Sequence, residues 1–209
     1  DLYLSEVAAK HNAAATINQR NESWLLRVVA PVVKLFNPKF DTYITTLGTT
    51  IYVPEGFLDR PLARVLEIIG HETRHVMDYR SNPVLFVLGY GAPQVLALPL
   101  LVLLLCLGCG WWSLLALVLL APIPSPWRYK DELRAYRVSL ALGKYVFGLS
   151  EQWLANIQKW VVTQLANRWY YWTWPFPSLI RKDLADMSFA SEPFYSDTVE
   201  FCQRHNIKL

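Results

Sequence analysis

Between Arg80 and Arg128 the sequence contains no charged residue. Charged residues make up 18% of the whole chain, against about 25% in an ordinary soluble domain. The shortfall is confined to that window, and composition elsewhere is unremarkable. The pattern is that of a water-soluble domain interrupted by one very apolar insert, and 209 residues suit a single domain with such an appendage. Cysteine is scarce: Cys106, Cys109 and Cys202 exclude a disulfide framework. Cys106 and Cys109 form a CxxC inside the insert without a second ligand pair, so they are expected to be small residues of an apolar segment. Excess charge of one sign is also missing. A net charge of +3 without a dense basic run excludes nucleic acid as the partner. The opening residues DLYLSEVAAKHN hold no apolar core of signal-peptide length, although a segment removed ahead of them would leave the same start. There is no internal repeat and no low-complexity linker.

What is present reads as α+β and mostly helical. Residues 2–20 are mixed and predicted helical. Trp24 to Phe36 is an amphipathic stretch around Pro31, expected to pack in the core rather than on a membrane surface. The β-branched run TYITTLGTTIYVP predicts a hairpin, with strands near 42–46 and 49–53 and a turn at Gly48. Asp59, Arg60 and Pro61 mark a helix start. Beyond it Leu62, Val65, Leu66, Ile69, Thr73 and Val76 recur at three- and four-residue spacing, an apolar stripe. A charged helix resumes at WRYKDELRAYRVSLALGKYVF, a tryptophan-rich helix is predicted over 151–175, and a last one near 193–204.

His71-Glu72-Thr73-Arg74-His75 lies on the striped helix and matches HExxH. Residues four apart share one helix face, so both imidazoles can reach one ion. Zinc (Zn2+) takes neutral imidazole nitrogen and keeps a position for water in catalytic sites. Glu72 is placed to act as general base and later to hand its proton to a leaving amine. Chance matches to HExxH are frequent. The well-patterned helix, the preceding candidate edge strand and a total of four histidines in the chain all favour the metal reading. A third ligand is required. After His75 the sequence is VMDYRS, which excludes the metzincin pattern. Glu132, opening the helix after the insert, is the first choice and Asp131 the second; the bland reading of Glu132 is a solvated first-turn glutamate favoured by the helix dipole.

HExxH, a hydrophobic hairpin and then a helix beginning E-x-R-A together resemble the membrane-embedded zincins, the CAAX prenyl proteases and the related bacterial heat-shock membrane protease. The likeness covers about residues 61–140 and rests on two short motifs and their order. It implies a gluzincin-like zinc metallopeptidase whose third ligand is the glutamate of an ExxxD motif, here Glu132-Leu133-Arg134-Ala135-Tyr136. Tyr136 stands where the family has aspartate. That departure removes the contact which the aspartate makes to a zinc histidine; Asp78 is the candidate replacement. Small HExxH proteins of bacteria and phages are similar in outline.

Convergence of Glu132 on the two histidines requires the chain to leave and return on one side of any membrane, so the insert must be a hairpin. Its limbs, Gln94–Leu107 and Trp111–Ile123, give about 20 Å of helix each, short of a hydrocarbon core of about 30 Å. Pro93 and Pro99 complicate the first limb. A hairpin that dips into one leaflet or crosses a thinned bilayer fits, as does one buried in a partner, oligomer or larger assembly. Arg74, Arg80, Arg128, Lys130, Arg134 and Arg137 flank it, which puts the catalytic domain on the cytoplasmic side. Tryptophans over 153–174 suit an aromatic belt and core packing about equally.

The expectation is a zincin-like domain in three segments: 1–82 with the HExxH helix, 83–126 as the membrane hairpin, and 127–209 with the third ligand. It would hydrolyse peptide or protein substrates bound extended along Thr49 to Val53. Tyr136 and His205 are candidates to stabilise the oxyanion. The competing expectation is a membrane-inserting structural component of a phage particle or secretion device, in which zinc clamps helices and a fourth protein ligand such as Asp78 fills the site. A zincin fold that has lost its metal is a weaker third reading.

Overall fold

The computed structural model describes residues 2–36, 40–120, 123–167, 173–186 and 192–207. The protein is α+β and mostly helical, with one small mixed sheet. After a π-helical turn at Leu4–Ala8 comes strand β1, Thr16–Gln19, where the sequence predicted continued helix. Its β-branched and polar run pairs in parallel with β3, Thr50–Val53, and β2, Thr45–Leu47, pairs with β3 antiparallel. The predicted hairpin is therefore present. Gly48 turns it at φ 62°, a value that strains any residue with a Cβ. The order β1-β3-β2 makes β3 the central strand. Thr49 to Val53 is thus no free edge for an extended substrate, and β2 takes that position.

Helix α1, Trp24–Phe36, is capped by Ser23, whose hydroxyl accepts from the Leu26 amide at 3.2 Å. It buries Leu26 but leaves Trp24 and Val28 exposed, so it does not pack wholly in the core. Helix α2, Leu62–Ser81, begins just after Pro61, whose carbonyl accepts from Arg64 and Val65. Its stripe is buried from Leu66 onward; Leu62, in the first turn, stays 57% exposed. The insert opens with α3, Pro83–Gly91, continues through a 3-10 turn at Gln94–Leu96 into α4, Ala97–Cys106, and returns as a 3-10 stretch, Gly110–Leu120. It is a hairpin as expected, turned at Gly108 and Gly110, both at positive φ. Pro99 falls in the first turn of α4, where its missing N–H costs nothing. Cys106 is exposed and Cys109 half-buried beside that turn.

Helix α5, Pro126–Tyr145, is capped by Ser125 and antiparallel to α2. Helix α6, Glu151–Leu165, stops well short of residue 175. Trp153 and Trp160 are largely exposed, and Trp174 stacks on Tyr129 at 5.4 Å; Trp169 and Trp172 lie outside the described residues. Helix α7, Pro177–Ala185, was not expected from the sequence, and α8, Pro193–Arg204, was. One core draws on both sides of the insert: Ile51, Val53, Phe57 and Val76 from the first part, and Leu140, Leu142, Leu165, Ile180, Phe194 and Tyr195 from the second.

Candidate metal centre

The seam between α2 and α5 builds the site. A Cβ on Gly70 would lie 2.8 Å from Val138 Cγ1, so glycine is what lets the helices approach this closely. The next residue of α2, His71, meets α5 at the backbone of Ala135 and at the ring of Tyr136, 4.7 Å between centroids. One turn on, His75 meets Glu132. His71 Nε2 lies 3.8 Å from Glu132 Oε2, and His75 Nε2 lies 3.7 Å from Glu132 Oε1. Glu132 sits in the second turn of α5 with no exposed surface, unlike a solvated helix-opening glutamate.

One donor atom from each of His71, His75 and Glu132 falls within 4.8 Å of the other two, the one such metal-holding group among the described residues. The set fits zinc in its chemistry. Tetrahedral coordination with bonds of about 2.0–2.1 Å wants donors about 3.3 Å apart, so the site must contract to bind. Both imidazoles must be neutral to ligate, and burial does this. It drives His71 down to about 3, with the charge of His75 adding to the effect and Glu132 opposing it. It likewise drives His75 down to about 4. The Nδ1 of His75 has no hydrogen-bond partner, a buried cost that a rigid site tolerates poorly.

Glu72 projects from the same helix turn. The Thr46 hydroxyl on β2 donates to its Oε2 at 2.6 Å, which ties the base to the sheet edge. Burial pushes the Glu72 carboxyl up to about 7, against the Thr46 hydrogen bond and with the charge of Glu132 adding to the rise. A carboxyl poised there can accept a proton near neutral pH.

Other candidates are placed elsewhere. Asp131 pairs with Arg134 and is not a ligand. Asp78 is held by Arg74 and Arg134, each at 3.2 Å, and makes no hydrogen bond to His75, whose Nδ1 is unpartnered. His205 packs on Phe201 and faces Glu6, within the contacts of α8. Tyr136 is buried against His71 and Trp160, its ring edge-on to both. Sequence reasoning missed Tyr90, whose hydroxyl donates to Glu132 Oε1. The signal was there: it is the lone tyrosine between Arg80 and Arg128, flanked by Gly89 and Gly91 in a mostly apolar segment. No protein-family model, curated protein or solved structure matches this chain.

Proposed function

We propose that the protein is a zinc-dependent peptidase of the zincin class that works at a membrane surface. The observation that carries this reading is the meeting of His71, His75 and Glu132 around one point, with the carboxyl of Glu72 on the adjoining helix turn. A divalent zinc ion held by these three side chains would polarise a substrate carbonyl and acidify water. The chain's own groups do the rest. Glu72 takes the proton of the attacking water and returns it to the departing amine, Thr46 holds its carboxyl in place, and the hydroxyl of Tyr136 is the candidate donor to the developing oxyanion. An extended peptide would align on the free edge of β2, beside Thr46.

The three-donor set supports turnover over a structural clamp, because the acid that a clamp would need, Asp78, is occupied by two guanidinium groups. The likeness to the membrane-embedded zincins fits this chemistry. The hairpin supports the membrane part. Leu103, Leu105, Leu107, Leu115 and Val118 are exposed, and Trp111 and Trp112 at its turn are 88% and 74% exposed. No helix among the described residues is long and apolar enough to cross a bilayer. Ten residues of α4 give about 15 Å, about half a hydrocarbon core. The hairpin therefore dips into one leaflet, with Arg80 and Lys130 at its base facing anionic cytoplasmic headgroups.

Zinc-loaded protein on liposomes should cleave an unstructured protein such as casein, and Glu72→Gln should bind zinc equally and cleave nothing. Full cleavage by Glu72→Gln would remove Glu72 from its role, and a zinc-free wild type would remove the reading altogether.

A further inference from the structure

The insert is fastened to the metal centre at one point. The last carbonyls of α3 lack helical partners, as at any helix end, and the start of α5 supplies them. Ser125 Oγ donates to the Gly89 carbonyl at 3.2 Å, and Arg128 Nε donates to the Tyr90 carbonyl at 2.6 Å. Arg128 also reaches Gln94 Oε1 at 2.8 Å. The backbone of Tyr90 is thus locked to the helix that carries Glu132. Its ring is locked as well, stacked on Phe86 at 5.4 Å and edge-on to His75 at 5.5 Å. The hydroxyl of this immobilised ring ends on Glu132 Oε1, the carboxylate oxygen nearer His75.

From this geometry we infer that Tyr90, carried by the apolar insert, is a positioning residue that sets the carboxylate orientation of the third metal ligand. A carboxylate on a side chain with three rotatable bonds has several rotamers, and only some aim an oxygen at the point between the two imidazoles. A hydrogen bond to one oxygen selects among them and leaves the other oxygen to ligate. Partners of this kind typically change metal affinity by about 10–100-fold when removed. The device also means that the carboxylate is oriented only when α3 is docked, which gives the insert a task at the site besides meeting lipid. The inference rests on the proposed metal site.

The test is zinc affinity of the full-length protein, measured by competition with a chromogenic chelator, together with the visible spectrum of the cobalt-loaded form. Tyr90→Phe keeps the ring stack and removes one oxygen, so its far-UV circular dichroism should match wild type. Its zinc affinity should fall about 10–100-fold, and its cobalt bands should shift as Glu132 reorients. Tyr129→Phe removes a comparable tyrosine hydroxyl on α5, one that donates to Asp183 rather than to a ligand, and should bind zinc as wild type does. Equal affinity and an unchanged cobalt spectrum in Tyr90→Phe would overturn the inference while leaving the metal site standing. So would a loss in Tyr129→Phe as large as in Tyr90→Phe. A wild type that binds neither ion would overturn both readings.

Discussion

Replacing Gly70 by alanine tests the seam on which the site depends. An added Cβ would meet Val138 Cγ1 at 2.8 Å, where an ordinary carbon–carbon contact is about 3.5–4.0 Å. Roughly 0.7 Å or more must be recovered, and neither partner can swing aside, since Val138 is buried and χ1-restricted on its own helix. The helices must part or the valine must leave its rotamer, at about 1–3 kcal/mol. Alanine returns about 1 kcal/mol through helix propensity, so the net change in stability is about 0–2 kcal/mol of loss. The larger effect falls on metal. Separation here widens the gaps of 3.8 and 3.7 Å between Glu132 and the two imidazoles, in a site that must contract to bind. Zinc affinity should therefore fall more than stability does. Urea unfolding of the apo form and chelator competition, each run on Gly70→Ala, Val138→Ala and the double variant, measure both quantities. In the Val138→Ala background the alanine should cost markedly less, a non-additive pair. A Gly70→Ala protein that is about 1 kcal/mol more stable than wild type, with unchanged zinc affinity, would refute the account of the seam.

If the native protein alone assembles the three ligands, its melting temperature should climb with free zinc, each tenfold step above the dissociation constant adding about 1.4 kcal/mol. His75→Ala should lose that dependence. Asp197 is held below its ordinary value of 3.8 by hydrogen bonds from Lys10 and His11. The native state thus takes up its proton later than the unfolded chain, and the stabilisation is complete above that ordinary value and drains as pH falls through the lower native one. Chemical denaturation of Asp197→Asn beside wild type should show a gap of about 0.2–1 kcal/mol at pH 6 that closes in strong acid. A gap that widens in acid would reverse the assignment. Replacing residues 97–123 by a short Gly/Ser linker should abolish flotation with liposomes and leave zinc affinity intact, because Gln94 is already held by Arg128 at the base. Extending the deletion through Tyr90 should weaken zinc as well.

The helical half of the site was legible because its rules are local. HExxH sets two imidazoles on one face, Pro61 marks the start of their helix, and Gly48 closes a hairpin. Glu132 was legible as the glutamate that opens the helix after the insert and through the ExxxD likeness. What escaped was set by tertiary pairing. Residues 16–19 have no strand signature of their own and become β1 because β3 offers a parallel edge, and this pairing is also what converts β3 from edge to centre. Asp78 was expected near His75 by helical spacing, which says nothing of two arginines that outbid an imidazole for a carboxylate. Tyr90 was hidden by its surroundings, since a greasy run is read for its hydrocarbon and its one phenolic hydroxyl goes unweighed.

The insert separates ligands that must meet, yet its length is a minor obstacle. Loop-closure entropy grows only with the logarithm of length, so what matters is whether the two ends are fixed. They are fixed twice. Asn82 caps α3 directly after the histidine helix, and Ser125 caps α5 directly before Glu132, while Ser125 and Arg128 bind the far end of α3. The part of the insert that packs on the two ligand helices is therefore α3, and the hairpin beyond Leu96 extends from that base. An apolar excursion built this way can enter a bilayer, or change its depth there, without pulling directly on the metal ligands. Strain would reach Glu132 along the chain into α5, whose start Ser125 caps, or across from α3, where the shortest route is the hydroxyl of Tyr90.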